Sequence, residues 1–216
     1  MTKILVLGDS HAGCFRKAKN DYRYTVIDVG GATAHGSIKF SSVTNALSIF
    51  EDNLKRHTQN NYVCTQLGEV DCGFVIWVRS KRKGISIEKQ LVSSLNNYKN
   101  FLTNTVSKYY APKNTIVLNA PLPTILDNTD KRFLKGARSE VNATLEQRTK
   151  LTIEYNQRLS VICKEEGYIW IDVTKETIDE TTGVVDEKWR NTNPYDHHLN
   201  PDLIWQIYED KIRKLI

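Results

Sequence analysis

Lys3-Ile4-Leu5-Val6-Leu7-Gly8-Asp9-Ser10-His11 decides how the rest of the chain is read. Ile4 to Leu7 form a short apolar run closed by a glycine, which predicts a buried strand. That strand runs straight into a Gly-Asp-Ser turn. A serine there sits on the exposed lip of a sheet, where an oxygen nucleophile can meet a substrate. Taken alone, Ser10 equally fits a turn residue that caps the next helix. Near the other end the chain reads Asp196-His197-His198-Leu199-Asn200-Pro201. A serine, an imidazole and a carboxylate are the parts of a hydrolytic triad, provided the fold brings them together.

Working outward, the strand pattern recurs. Tyr24–Val29, Tyr62–Leu67, Thr115–Asn119 and Tyr168–Val173 predict four more strands. Apolar residues at helical spacing predict helices over 43–57, 86–110, 147–166 and 201–215, and a helix begins within 11–20. Pro112 stops the second of these and Pro201 starts the last. Residues 69–84 read as a loop or short irregular element, with Phe74 to Val78 apolar enough to be partly buried. Residues 121–146 are the least regular stretch, a lid or surface excursion on one domain spanning 1–216. Residues 174–195 read as a polar connection. Strands alternating with helices predict an α/β fold, a parallel sheet covered by helices on both faces. Ligands of such sheets bind beyond the carboxyl ends of the strands. Ser10, Gly31, Gly68 to Asp71 and Asn119 to Pro123 all fall there.

The bulk composition narrows the class. The chain has 216 residues, 40% of them hydrophobic, which suffices for a sizeable core. Its net charge of +5 is partly local, in the run Arg79, Lys81, Arg82 and Lys83. Such a run reads first as a solvated loop, and second as an attractor for an anionic glycan or nucleotide. No aromatic-interleaved basic stripe marks a nucleic-acid reader, so no nucleic acid is expected. Cys14, Cys64, Cys72 and Cys163 form no C-x-x-C pair and read as buried, reduced thiols. No hydrophobic leader precedes Lys3-Ile4, and no apolar run reaches membrane-spanning length. The expectation is a cytoplasmic protein.

In order, these segments resemble the SGNH (GDSL-like) hydrolase superfamily. Gly8-Asp9-Ser10 corresponds to its first block and the glycine within Gly30-Gly31-Ala32-Thr33 to its second. Gly68-Glu69-Val70-Asp71 stands for its third block, Gly-x-Asn-Asp, and Asp196-His197-His198 approximates its last, Asp-x-x-His. The resemblance spans nearly the whole chain. It implies a flavodoxin-like three-layer α/β/α sandwich with a five-stranded parallel sheet. It also implies hydrolysis of acyl esters, often acetyl or acyl groups on sugars and lipids. Two positions depart from the pattern. The third-block asparagine, an oxyanion donor in the family, is Val70. Position 195, three before His198, is Tyr195, so the candidate acid Asp196 stands two before it.

On this reading Ser10 is the nucleophile, His198 its base and Asp196 the group that fixes the imidazole tautomer. His197 is the competing base, but adjacent side chains of an extended segment point apart. The His-Leu-Asn/Ser-Pro pattern of the family favours His198. The oxyanion would meet the backbone N–H groups of Ser10 and Gly31, with Gly30 an equally eligible alternative. Arg79, Asn119 or an amide near Glu69 are candidates to replace the donor absent at Val70. Glu69 and Asp71 could orient substrate hydroxyls or pair with Arg79, and Gly68 completes the substrate-binding set. They could also suggest a metal, but no third ligand is evident beside them and neither metal nor organic cofactor is expected. The sequence thus predicts a serine esterase acting on a small-molecule or glycan ester, with an O-acetylated carbohydrate the expected substrate. Two alternatives stay open: an acyltransferase with the same triad, and a catalytically silent binder of glycans or anions. A nucleotide binder lacks its Gly-rich phosphate loop.

Overall fold

A computed structural model of the chain describes residues 2–18, 23–134 and 136–216. Five strands, β1 (Ile4–Gly8), β2 (Tyr24–Asp28), β3 (Tyr62–Gln66), β4 (Thr115–Leu118) and β5 (Ile169–Ile171), form one parallel sheet. Their spatial order is β2-β1-β3-β4-β5. The chain therefore reverses its direction of travel across the sheet between β1 and β3, the place where open α/β sheets bind ligands.

Strand alternation builds two cores. Leu5, Leu7, Val63 and Val117 face one side, while Ile4, Val6, Cys64, Ile116 and Leu118 face the other. The first side is covered by α1 (Ala46–Arg56), α2 (Ile76–Lys83), α3 (Ile87–Asn104) and α4 (Leu145–Glu166), which contribute Phe50, Ile76, Tyr98 and Tyr155. After the short α5 (Thr174–Thr177) comes α6 (Pro201–Arg213), which covers the second side together with a 3₁₀ helix over Ser10–Lys17. The result is the three-layer α/β/α sandwich expected from the sequence.

The helix ends follow local chemistry. Ser86 caps α3 by accepting from the Lys89 N–H, and Thr144 with Gln147 forms a reciprocal capping box on α4. Gly167 closes α4 at φ +76°, a conformation open to glycine. Asn200 caps α6 ahead of Pro201.

Three expectations need correction. Residues 69–84 are not a loop: a wide π-type turn over Asp71–Val75 runs directly into α2. Lys81, Arg82 and Lys83 lie in its last turn, where cations complement the helix dipole, and Gly84 ends it at φ +64°. The long helix after Ser86 stops at Asn104, well before Pro112, and continues only as a 3₁₀ turn over Val106–Lys108. The helix expected within 11–20 is the tighter 3₁₀ helix Ser10–Lys17, and Lys19 and Asn20 lie outside the described residues. All four cysteines are buried and free. No described helix is long and apolar enough to cross a membrane.

Candidate active site

The two ends of the chain meet over the sheet's second face. Phe15, in the 3₁₀ helix after β1, stacks on Tyr208 of α6 with ring centroids 5.8 Å apart, and both rings are almost fully buried. Burying each ring contributes roughly 2–3 kcal/mol. Tyr208 is also tied to the sheet: its hydroxyl accepts from Gln66 Nε2 at 2.9 Å and donates to Asn119 Oδ1 at 3.1 Å. The segment before α6 is pinned where Leu199 is buried opposite Arg190 in a single antiparallel bridge. The Asn200 N–H donates to the Trp189 carbonyl.

That convergence puts three predicted residues in one hydrogen-bonded chain. His198 Nε2 lies 2.8 Å from Ser10 Oγ, and His198 Nδ1 lies 2.5 Å from Asp196 Oδ1. The two-residue spacing works because Asp196 turns back on its own segment. Its Oδ1 accepts the backbone N–H of His198 as well as facing the ring, and its Oδ2 accepts from Asn191 Nδ2. Burial pushes the Asp196 carboxyl up, but the two contacts from His198 outweigh it and hold the group below its ordinary range. A carboxylate kept ionised against Nδ1–H leaves Nε2 as the acceptor facing Ser10. His197 has no hydrogen bond to Ser10. Burial pushes its imidazole down to about 3.

The strand ends explain the neighbours. Gly8 is in register with Asp28 on one side and Gln66 on the other, so Ser10, Gly31 and Gly68 leave the same edge of the sheet. Ser10 heads its 3₁₀ helix, where first-turn amides have no intrahelical acceptor. Gly31 stands at φ +76° in the turn closed by the Ala32 N–H on the Val29 carbonyl. Gly68 stands at φ +128°, and a β-carbon there would come within 2.5 Å of Tyr155.

Glu69 and Asp71 do not line the cleft. Asp71 is buried and accepts from the Ala34 and His35 N–H groups at 2.7 and 3.0 Å and from Ser94 Oγ at 2.5 Å. It therefore clamps the turn that carries Gly31. Glu69 is 1% exposed and accepts two hydrogen bonds from Arg138, at 3.2 and 2.9 Å. His11 Nε2 lies 3.0 Å from the same carboxylate. Burial pushes Glu69 up, but the Arg138 charge and the contact with His11 prevail and hold it well below the usual carboxylate range. Asp9, also fully buried, shows the opposite: burial and the nearby Glu69 charge raise it well above its ordinary value.

Arg79 is not at the site. It projects from α2 toward α3, where its Nε donates to Gln90 Oε1 at 3.2 Å. It neither pairs with Glu69 nor lines the cleft around Ser10, so Arg138 takes the partnership expected of Arg79. Asn119 is spent as well, its amide donating to Ala120 and Thr174 while its oxygen accepts from Val173 and Tyr208. Val70 is buried. The residues that reasoning from sequence missed are Arg138, His11, Gln66 and Tyr208. Arg138 comes from the irregular stretch 121–146, which packs Leu122 and Ile125 inward. Its guanidinium also sits 4.3 Å over the Phe74 ring.

A cleft of about 450 Å³ opens at Ser10. Cys14, Leu199, Ile204 and Tyr208 supply its apolar part, and Arg16, Lys17, Asp28 and Asn191 its polar part.

Comparison with known proteins gives two kinds of result. A family model described as antibiotic biosynthesis monooxygenase matches residues 136–206. That is under half of the chain, and it omits β1 to β4 and Ser10. No curated protein matches the sequence. Solved structures match over the full length. A GDSL-like lipase from Bacteroides thetaiotaomicron superposes with a TM-score of 0.62 at 11% identity, covering 100% of this chain and 89% of its own. The inhibitor-bound aryl esterase of M. smegmatis superposes with a TM-score of 0.58 at 14% identity, covering 100% of both chains. At these identities the likeness is one of fold.

Proposed function

We propose that this chain, which has the fold of the SGNH (GDSL-like) hydrolases, is a serine esterase working through an acyl–Ser10 intermediate. The observation that carries the reading is the unbroken contact chain from Ser10 Oγ through His198 to Asp196 at the carboxyl edge of the sheet.

His198 Nε2 takes the Ser10 proton as Oγ attacks the ester carbonyl. Asp196 holds the ring in the tautomer with the proton on Nδ1 and stabilises the imidazolium that forms. The developing oxyanion is met by the N–H groups of Ser10 and Gly31. Valine at position 70 has no side-chain donor to add to that pair. Loss of one oxyanion donor typically costs about 3–4 kcal/mol of barrier, so turnover is expected to be modest. The imidazolium then gives its proton to the departing alcohol. In the second half His198 deprotonates a water that attacks the acyl carbonyl, and the acid leaves with Ser10 restored.

The substrate we favour is a short acyl ester, an acetyl group, on a carbohydrate. The cleft supports this with a restricted apolar portion beside Asn191 and the Arg16–Asp28 ion pair, polar groups suited to hydroxyls. The test is steady-state hydrolysis of aryl acetate, aryl hexanoate and an O-acetylated glycan by wild type and Ser10→Ala. The proposal expects turnover that falls with acyl length and vanishes in Ser10→Ala. Turnover unchanged in that variant overturns it. Acyl appearing on an added glycan acceptor in preference to water would assign acyl transfer instead.

A further inference from the structure

We propose that His11, His197 and His198 form a binding site for a borderline divalent cation such as Zn2+, and that filling it shuts down the Ser10 centre. The three side chains come from the two ends of the chain, and each offers a ring nitrogen within 4.8 Å of the other two. Their ring centroids lie 4.1, 4.6 and 5.4 Å apart. Tetrahedral zinc–imidazole bonds of about 2.0–2.1 Å place ligand nitrogens roughly 3.4 Å from one another. Modest ring rotation closes the difference. His11 is held in its 3₁₀ helix and 5% exposed, and His197 and His198 sit on the segment before α6, where the anchors are Leu199 and the Asn200 N–H.

The surroundings are those of a ligand set. His11 Nε2 is buried and faces Glu69 Oε2 at 3.0 Å. A carboxylate behind a histidine is the usual support for a metal-bound imidazole. The charges around the cluster are Glu69 and Asp196 against Arg138. Three imidazoles favour zinc, copper or nickel over magnesium or calcium, which prefer oxygen ligands. The fourth tetrahedral position is left for water.

Inhibition follows from how His198 is already used. Its Nε2 faces Ser10 and its Nδ1 faces Asp196. A cation must take one of those nitrogens. At Nε2 it removes the base from Ser10, and at Nδ1 it removes Asp196 from the base. This half of the proposal rests on the serine-esterase reading, whereas the binding half does not.

The experiment titrates Zn2+, and Mg2+ in parallel, into the chelator-treated full chain by calorimetry, with aryl acetate hydrolysis followed on the same samples. Wild type is expected to bind about one Zn2+ per chain, to ignore Mg2+, and to lose activity in step with occupancy, reversibly with EDTA. His197→Gln is expected to keep its metal-free turnover and melting temperature, bind zinc roughly tenfold or more weakly, and resist inhibition. His198→Gln is expected to bind weakly too, which guards against a folding defect in the first variant. Zinc affinity unchanged in both variants overturns the site. Tight binding with activity unchanged or raised overturns the inhibition. A chain without esterase activity that still binds zinc through His197 refutes the esterase reading and leaves the site standing.

Discussion

His198 Nε2 lies 2.8 Å from Ser10 Oγ, although 188 positions separate the two residues in the chain. The contact depends on α6 packing back over the first turn, and Asp196 completes it two residues before the histidine.

Asp196 Oδ1 lies 2.5 Å from His198 Nδ1, and in the proposed mechanism this contact sets the His198 tautomer. Asp196→Asn puts an amide against the ring and stabilises the tautomer with the proton on Nε2, the wrong one for accepting from Ser10. We expect kcat to fall on the order of 10³- to 10⁴-fold with little change in KM. Steady-state kinetics on aryl acetate checks this, and a fall of less than tenfold would remove Asp196 from the relay.

Glu69 is buried with its charge answered by Arg138, and His11 Nε2 lies 3.0 Å from the same carboxylate. Arg138→Ala leaves that carboxylate uncompensated and is expected to cost about 3–5 kcal/mol of stability, measured by urea unfolding. Because the folded carboxyl is depressed, its contribution is present above the unfolded value near 4.3 and is lost as pH falls through the lower folded value. Wild type should therefore lose stability on acidification below about pH 5, and Glu69→Gln should show a flatter profile.

Asp9 has the opposite sign. Its Oδ1 caps the His11 N–H, but its buried Oδ2 has no hydrogen-bond partner and burial raises the group. A carboxyl raised in the folded state penalises folding once pH exceeds its unfolded value, and the full penalty applies above the folded value. Asp9→Asn keeps the cap and removes the charge. At pH 8 it should gain roughly 1 kcal/mol in stability, and the gain should shrink as pH falls. A loss at pH 8 would show that the ionised carboxylate stabilises the turn.

Gly68 combines φ +128° with a β-carbon position 2.5 Å from Tyr155. Gly68→Ala should destabilise by about 3 kcal/mol or more, read as a lowered urea midpoint. A variant as stable as wild type would mean that the strand-end turn relaxes freely.

The alternation of apolar strands with amphipathic helices made the sheet and its layers legible, since Leu5 and Leu7 face one core and Ile4 and Val6 the other. The π-type turn and α2 were hidden because the apolar run Phe74 to Val78 is too short to show a helical period and the basic residues after it resemble a solvated loop. At the site, Ser10, Asp196 and His198 could be proposed from their residue types and from the resemblance, whose His-Leu-Asn/Ser-Pro pattern favours His198 over His197, and the structure brings the three into contact. Arg138 could not be. It lies 69 positions from Glu69, in a stretch without periodicity, and nothing local distinguishes it from any surface arginine. The one available signal was indirect: an acidic residue at the end of a buried strand requires a cation from somewhere. The three-histidine cluster was equally invisible, because His11 joins it only once the chain's ends meet.

The most direct test of the central claim is intact-mass and peptide mapping after treatment with a fluorophosphonate, which labels a serine only when a neighbouring base activates it. We expect a single adduct on Ser10 in wild type, none in Ser10→Ala, and greatly slowed labelling in His198→Gln. An unlabelled wild type, or an adduct that persists in Ser10→Ala, would contradict the account.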